Sequence, residues 1–316
     1  MEFGYFLSSE EYGPTSLVEQ AVRAEDAGWK DLLISDHFHP WVERQGHSPF
    51  VWGVIGAIGQ ATRDVTVTTG VTCPTVRIHP AVIAQASATA SLLLDGRFRL
   101  GVGSGENLNE HILGDGWPDT DVRLEMLEEA VEVIRELWQG NQVSCRGRHY
   151  TVRNARIYDP PEQVPAVVVS GFGPKSAELA GRIGDGFICV QPDAELRATF
   201  VQHGGGGKPT LNGLKVCFGS DERSCIDLAY QTWPNEGVPG ELAQELPTPA
   251  HFEQASQLVT RDRVAEAVPC GNDPERFVEA IKPYAAAGYD RLYIQQIGPD
   301  QAGFLDFFER EVRPRL

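Results

Sequence analysis

Short runs of apolar and β-branched residues alternate along the whole chain with longer stretches in which apolar residues recur at helical spacing. A run of about four to eight such residues predicts a buried strand, and an apolar period of about 3.6 residues predicts a helix with one buried face. The predicted strands are Phe3–Leu7, Asp31–Ser35, Val65–Gly70, Phe98–Val102, Ala166–Ser170, Gly186–Val190, Leu214–Phe218 and Arg291–Gln295. Strands and helices in this alternation are typical of the α/β class, and we expect a single (β/α)8 TIM barrel over residues 1–316.

Three of the predicted helices have recognisable ends. The first, Leu17–Ala27, is followed by Gly28, a residue that commonly ends a helix. The second is Pro80–Leu93, and proline is favoured in a first helical turn. The third covers residues 121–138 and has a continuous apolar stripe, which predicts that one face packs against the barrel.

Two stretches interrupt the alternation and are predicted to be insertions, at about residues 139–165 and 204–250. The first has the pattern of a short hairpin around residues 146–150, and the second is rich in glycine and proline. Long excursions after barrel strands shape the substrate pocket in this architecture. We therefore expect the second insertion to determine specificity.

The net charge of −17, from 27 basic and 44 acidic residues, limits the kinds of partner that the protein is expected to bind. Such a chain repels nucleic acids and acidic membranes, although its acidity fits either a saline habitat or ordinary solubility. A basic leader and a long apolar segment are both lacking, which predicts a cytoplasmic protein with a small-molecule substrate. The six cysteines include no C-x-x-C pair, so neither a metal site nor a disulfide framework is expected.

The second predicted strand ends in the sequence Ser-Asp-His-Phe-His-Pro-Trp, residues 35–41. An imidazole can accept an alcohol proton, a carboxylate can orient a ring, and an indole can exclude water from a hydride-transfer face. His37 is accordingly a candidate general base. The alternative is that His37 or His39 only bonds carbonyl groups of its own loop.

The fourth predicted strand runs into a glycine-rich turn, Leu100–Glu110. Three glycines in five residues allow backbone amides to approach a flat ligand, while Glu106 and Asn109 project beyond them. The spacing is not that of a dinucleotide-binding fingerprint, and a tight turn between strand and helix is the alternative.

Two further strand ends carry similar signals. Ser170–Ser176 leads into a helix whose first amides, with Lys175 beside them, could bind a phosphate, although any helix can start in this way. The third strand ends at Gly70, where a glycine permits close contact with a ring, and the alternative is a simple turn. All four features follow successive strands and therefore lie on one face of the predicted barrel.

These motifs together resemble those of the F420-dependent glucose-6-phosphate dehydrogenases, members of the bacterial-luciferase-like superfamily. The resemblance rests on Ser35–Phe38 with Pro40 and Trp41, Gly46–Phe50, Pro80–Gln85, Leu100–Glu110 and Ala180–Cys189. It covers essentially the whole chain and is weakest between residues 200 and 270. It implies a luciferase-like barrel with the deazaflavin coenzyme F420 across its mouth, usually in a homodimer.

The resemblance also implies roles for individual residues. Asp36 matches a ligand of the deazaflavin ring, and Gly70–Val71 matches a non-proline cis peptide behind that ring. Other matches to cofactor-binding positions are Ser104, Gly105 and Asn109, with Phe172, Gly173, Pro174, Lys175 and Ser176 in the loop that holds the cofactor phosphate. Matches at the reacting centre are His37 as general base, Trp41 as an indole packed on the centre, Glu106 as a carboxyl assisting the deazaflavin nitrogen, and Glu10 as a carboxylate lining the pocket.

The chain departs from this family where the substrate phosphate is held. Family members that act on glucose 6-phosphate use two lysines and an arginine, and the matching positions here are Asp193, Gln254 and Ala267. A phosphate dianion would be repelled by Asp193, although a shifted alignment would bring in Arg261 or Arg263. The favoured substrate is therefore a secondary alcohol or an unphosphorylated sugar.

The expected reaction is hydride transfer between such an alcohol carbon and deazaflavin C5, with His37 taking the hydroxyl proton. The enzyme alternatives are an F420-dependent sugar-6-phosphate dehydrogenase, an F420-dependent reductase of a ketone or activated alkene, and an FMN-dependent monooxygenase. A further alternative is a flavin-binding barrel without catalysis. The motifs match the deazaflavin branch, which disfavours FMN, and the presence of Asp36, His37, Trp41 and Glu106 together disfavours a non-catalytic barrel.

Overall fold

The computed structural model describes residues 1–316 and contains a closed barrel of eight parallel strands. The strands of the chain are β1 (Glu2–Leu7), β2 (Asp31–Ile34), β3 (Thr66–Thr69), β4 (Phe98–Val102), β5 (Val143–Arg146), β6 (Thr151–Ala155), β7 (Ala166–Ser170), β8 (Gly186–Cys189), β9 (Thr210–Phe218), β10 (Cys270–Gly271) and β11 (Arg291–Gln296). The barrel order is β1-β2-β3-β4-β7-β8-β9-β11, and β11 pairs with β1 to close it. The predicted (β/α)8 TIM barrel is thus confirmed.

Helices connect the strands and cover the barrel. They are α1 (Pro14–Asp26), α2 (Val51–Ala61), α3 (Pro80–Leu93), α4 (Asn107–Glu110), α5 (Thr120–Leu137), α6 (Pro174–Ile183), α7 (Ala194–Phe200), α8 (Glu222–Thr232), α9 (Leu242–Glu245), α10 (Pro249–Ser256), α11 (Arg261–Ala267), α12 (Pro274–Ala286) and α13 (Gln301–Phe307). Their apolar faces pack on the outside of the strands in one cluster of 53 buried residues. None of the helices combines the length and apolar character needed to cross a membrane.

The interior of the barrel is filled by side chains rather than open. A second cluster, the barrel plug, consists of Leu33, Val168, Ile188, Leu211 and Tyr293, with Phe6 and Val71 packed against it. These residues come from strands all round the barrel, as expected for the filled interior of an eight-stranded barrel. The plug forms the floor beneath the loops at the carboxyl ends of the strands.

The two predicted insertions have different outcomes in the structure. Residues 139–165 contain the antiparallel hairpin of β5 and β6. The boundaries 204–250 are wrong, because β9 lies within them and continues the barrel. The glycines at 204–207 belong to the turn before β9, where Gly204 and Gly207 have positive φ. The long excursion begins only after Phe218 and contains α8 to α11.

Candidate active site

His37 lies in the loop after β2, with its ring between two carboxylates. Its Nε2 is 3.5 Å from Oε1 of Glu10 and 3.6 Å from Oε2 of Glu106. Its Nδ1 is 3.1 Å from the carbonyl oxygen of His39. The tautomer that donates Nδ1–H to this carbonyl leaves Nε2 free to accept a proton, and the Glu10 carboxylate would stabilise the resulting imidazolium.

Glu10 follows β1 and is held in place by two serine hydroxyls. Its Oε2 accepts hydrogen bonds from Ser8 Oγ at 3.0 Å and from Ser35 Oγ at 2.7 Å. Ser9 donates its backbone N–H to Ser35 Oγ, which ties the loops after β1 and β2 together. Because one carboxylate oxygen is occupied by hydroxyl groups, the other is directed at His37.

Glu106 and Asn109, from the loop after β4, complete the contacts around His37. Asn109 donates from Nδ2 to Glu106 Oε2 at 3.1 Å and accepts at Oδ1 from the backbone N–H groups of Phe38 and His39. Burial raises the pKa of Glu106, and the neighbouring His37 only partly opposes this shift. Glu106 therefore keeps its proton to a higher pH than an ordinary glutamic acid.

Trp41 forms an aromatic wall beside His37. Its ring centroid is 5.0 Å from that of His37 and 5.1 Å from that of Phe252. Phe252 is on α10, in the long excursion after β9. The excursion thus packs against the indole and limits the access of water to His37.

A cleft of about 510 Å³ lies next to these groups at the carboxyl ends of the strands. The predicted residues that line it are Asp36, Val71, Ser104, Gly105, Glu106, Asn109, Phe172 and Ser176. Gly70 joins Val71 through a cis peptide bond, and Gly173 and Pro174 begin α6 at the edge of the cleft. Lys175 points elsewhere, since its ammonium bonds Asp121 on the surface at 2.6 Å. Its predicted phosphate contact would require a different rotamer.

The shape of the cleft depends on glycines that have no room for a side chain. A Cβ at Gly101 would lie 1.8 Å from the carbonyl oxygen of Thr69. β3 and β4 can therefore approach each other this closely only because residue 101 has no side chain. Gly105 has φ +90° and a Cβ on it would lie 2.5 Å from Cys73 Sγ. Backbone therefore forms this wall of the cleft, which suits a flat ligand.

Arg77 is a site residue that the sequence motifs did not reveal. It lies in the loop after β3, and its NH2 is 3.0 Å from Asp36 Oδ1 while its Nε is 3.5 Å from Glu110 Oε1. Thr72 Oγ1 donates to the other oxygen of Asp36 at 2.8 Å. All three charged side chains are almost completely buried, and burial raises the pKa of Glu110 although Arg77 opposes this shift. Arg77 is identified only because its partners Asp36 and Glu110 are buried beside it, and their burial is not visible in the sequence.

The positions matching the family's phosphate ligands have other contacts here. Asp193 caps α7 by accepting hydrogen bonds from two backbone N–H groups, and Ala267 lines a second cavity. Arg261 is exposed and pairs with Asp227, and Arg263 is exposed and pairs with a glutamate of its own helix. Neither arginine lines the cleft or the second cavity, so neither replaces the missing cations.

Comparison with known proteins agrees with these features. The family described as luciferase-like monooxygenase matches residues 1–291. An F420-dependent glucose-6-phosphate dehydrogenase of Rhodococcus erythropolis is 37% identical and that of Nocardia farcinica is 36% identical, each over 100% of this chain and 98% of its own. The solved structure of an F420-dependent secondary alcohol dehydrogenase with an F420–acetone adduct is 30% identical, with a TM-score of 0.89 over 99% of this chain and 98% of its own. The chain therefore belongs to the luciferase-like monooxygenase family and, within it, is a relative of the F420-dependent dehydrogenases.

Proposed function

We propose that this protein is an F420-dependent oxidoreductase that transfers a hydride between an alcohol carbon and deazaflavin C5. The substrate is a secondary alcohol or an unphosphorylated sugar. The observation that carries the proposal is the position of His37 Nε2 between Glu10 and Glu106, beside a cleft walled by glycine backbone. The full-length relatives with F420-dependent dehydrogenase activity support the choice of cofactor.

The residues around the cleft fit a flat ring system with an acidic tail. Glycine backbone on one side leaves space for the ring, and the Asp36 carboxylate faces that space. On the other side α6 begins at Pro174, and the amides of its first turn have no acceptors within the helix. Such amides bind phosphate oxygens, so they would hold the tail while Val71 and Asp36 contact the ring.

The chain's own residues account for the movement of protons. His37 Nε2 takes the hydroxyl proton of the alcohol, and the Glu10 carboxylate stabilises the imidazolium. Burial raises the pKa of Glu106, which lines the cleft and can exchange a proton with the ring. Trp41 and Phe252 exclude water from the reacting carbon. F420, when bound, supplies the two-electron acceptor at C5.

Three enzyme alternatives use the same residues in other ways. A reductase of a ketone or activated alkene would take its proton from the imidazolium of His37. A sugar-6-phosphate dehydrogenase is disfavoured, because Asp193, Gln254 and Ala267 provide no cation. An FMN-dependent monooxygenase is disfavoured, because the relatives that cover the full chain at 35–37% identity are F420-dependent.

Cofactor choice is tested by titrating the protein separately with F420 and FMN and following the cofactor spectra. We expect tight binding of F420 and weak binding of FMN, and reduction of bound F420 on addition of an alcohol. Tighter binding of FMN, with oxygen consumption, would favour the monooxygenase. Bound F420 that no alcohol, sugar or aldehyde reduces would favour the non-catalytic barrel.

The cellular setting of this activity is also a proposal. We place the enzyme in the cytoplasm as a homodimer, with small molecules rather than nucleic acids or membranes as its partners. All six cysteines are free thiols, and five of them are buried, which fits a reducing compartment. The acidic charge of −17 disfavours binding to polyanions.

A further inference from the structure

A second cavity opens through the wall of the barrel between β8 and β9. These strands pair only as far as Cys189 and Asn212, whereas β9 continues to Phe218. The cavity of about 1140 Å³ occupies this gap. Phe6 and Lys215 line its inner end, and residues of α11 and α12 line its outer end. The gap therefore leads outward from the interior of the barrel mouth.

The second cavity shares its floor with the cofactor cleft. Val71 lines the cleft, Phe6 lines the second cavity, and both pack on the barrel plug. The ammonium of Lys215 also stands 4.5 Å from the ring centroid of Trp233, whose indole N–H donates to Glu11 at 2.6 Å. Glu11 is the chain neighbour of Glu10, which contacts His37. The second cavity and the cofactor cleft therefore rest on the same barrel plug.

The charges that line the second cavity balance. Its cations are Lys215 and Arg276, and its anions are Glu236 and Glu266. Lys215 pairs with Glu236 at 2.9 Å, and Arg276 pairs with Glu222 just outside. No cation is left for a phosphate, and a dianion would have to displace a carboxylate that already occupies the lysine.

The polar atoms at the inner end are both donors and acceptors. The ammonium of Lys215 has three N–H donors, and the Glu236 carboxylate has lone pairs beyond those facing the lysine. A hydroxyl group can both donate and accept a hydrogen bond, so it can bind the Lys215 donors and the Glu236 acceptors together. An alkyl group in the same place would leave these donors and acceptors without a hydrogen-bond partner in the ligand.

We propose that the second cavity binds the distal hydroxyl groups of an uncharged polyhydroxylated substrate, a polyol or unphosphorylated sugar, and that the Lys215–Glu236 pair selects it. This rests on the proposed function, because the alcohol carbon of the same molecule is oxidised at His37. The pair discriminates against phosphorylated sugars by charge, and small alkyl alcohols are too short to form hydrogen bonds with it.

The test compares F420 reduction by D-glucose, D-glucitol, glycerol, glucose 6-phosphate and 2-propanol. At least one neutral polyhydroxylated compound is expected to exceed both glucose 6-phosphate and 2-propanol in kcat/KM by about 10-fold or more. Calorimetry with the best neutral compound and protein loaded with reduced F420, which cannot accept a further hydride, gives its Kd without turnover. Higher kcat/KM for glucose 6-phosphate or for 2-propanol would overturn the inference and leave the proposed function standing.

Substitutions at the pair separate selection from folding. Glu236→Gln and Lys215→Gln are each expected to raise KM and Kd for the neutral compound about 10-fold with kcat nearly unchanged. Glu279→Gln is the matched control, since Glu279 is an exposed acid on α12 outside the cavity. Unchanged KM in both pair variants, with F420 reduction intact, would also overturn the inference. Failure of every alcohol to reduce bound F420 would instead overturn the proposed function.

Discussion

His37 and His39 lie two residues apart but have different surroundings. His37 faces Glu10 and Glu106, whereas His39 has its Nδ1 2.9 Å from the Leu108 carbonyl and stacks on another histidine. We expect His37→Ala to lower kcat at least about 100-fold, because the proton acceptor is removed. The Kd for F420 should change less than about 3-fold, since His37 does not line the cleft.

The matched control for this prediction is His39→Ala. It removes an imidazole from the same loop without removing a contact to either carboxylate, so kcat should stay within about 3-fold of the original. Both rates are measured by F420 absorbance under saturating alcohol. Equal losses in the two variants would show that loop integrity, rather than proton transfer, controls turnover.

Glu106 is expected to set the alkaline limb of the pH profile. Burial raises its pKa, so the protonated form persists above the range of an ordinary glutamic acid and is lost as pH rises through the raised value. We therefore expect kcat to fall with rising pH on that limb. Glu106→Gln keeps a hydrogen-bond donor but has no proton to lose, so kcat should drop about 10- to 100-fold and the limb should disappear. An unchanged limb in this variant would assign it to another group.

The sequence motifs predicted most of the side chains that the structure brings together around His37 but missed the buried residues beneath the cleft. His37, Trp41 and Glu106 follow strand ends in recognisable patterns, and the structure brings them together. Arg77 has no such pattern, because its importance comes from Asp36 and from Glu110, which approaches from another strand's loop. Long-range pairing of buried charges depends on the folded backbone, so it could not be predicted from spacing alone.

At the scale of elements, Glu11 links the loop after β1 to the long excursion after β9. It accepts hydrogen bonds from Trp233 Nε1, from Gln295 Nε2 and from the backbone N–H of Gly298. Burial nevertheless raises its pKa from 4.5 to about 7. The folded chain therefore binds more protons at Glu11 than the unfolded chain between those values, and this group's contribution to stability falls as pH rises from 4.5 to about 7.

We expect Glu11→Gln to weaken this pH dependence. The variant should gain free energy of unfolding relative to the original chain as pH rises from 5 to 8, by on the order of 2 kcal/mol, because a neutral amide has no charge to desolvate. Urea unfolding at the two pH values measures the change. Glu19→Gln, at an exposed position on α1, is the control and should leave the pH dependence as it was. A parallel shift at both pH values would contradict the role of Glu11.

The elements themselves were predicted with unequal success. Seven barrel strands lie within one residue of their predicted ends, because each is a short run rich in apolar or β-branched residues. The start of β9 was missed, since Asn212 and Gly213 interrupt its apolar pattern. Asn212 is buried and donates from Nδ2 to the Gln191 carbonyl, and Gly213 has no side chain, so neither carries the apolar signal of a strand. The same interruption led to the wrong boundaries of the second insertion.

At the scale of the whole molecule, the negative charge is unevenly distributed. α2 and α3 contain no charged residue, although the chain carries a net charge of −17. Val82 and Leu93 lie on one exposed face of α3, three turns apart, and Leu93 also borders Gly56 on α2. An uncharged, partly apolar helix face on an acidic protein is typical of an interface.

This face is where the proposed homodimer is expected to form. Light scattering should give a mass of about twice 34.7 kDa for the original chain. Val82→Glu combined with Leu93→Glu places like charges across a twofold interface, so the double variant should elute as a monomer with an unchanged circular dichroism spectrum. Leu258→Glu is the control, because Leu258 is 88% exposed and lies on the excursion rather than on α2 or α3. A dimer that persists in the double variant would place the interface elsewhere, and a monomer in the original chain would exclude the homodimer.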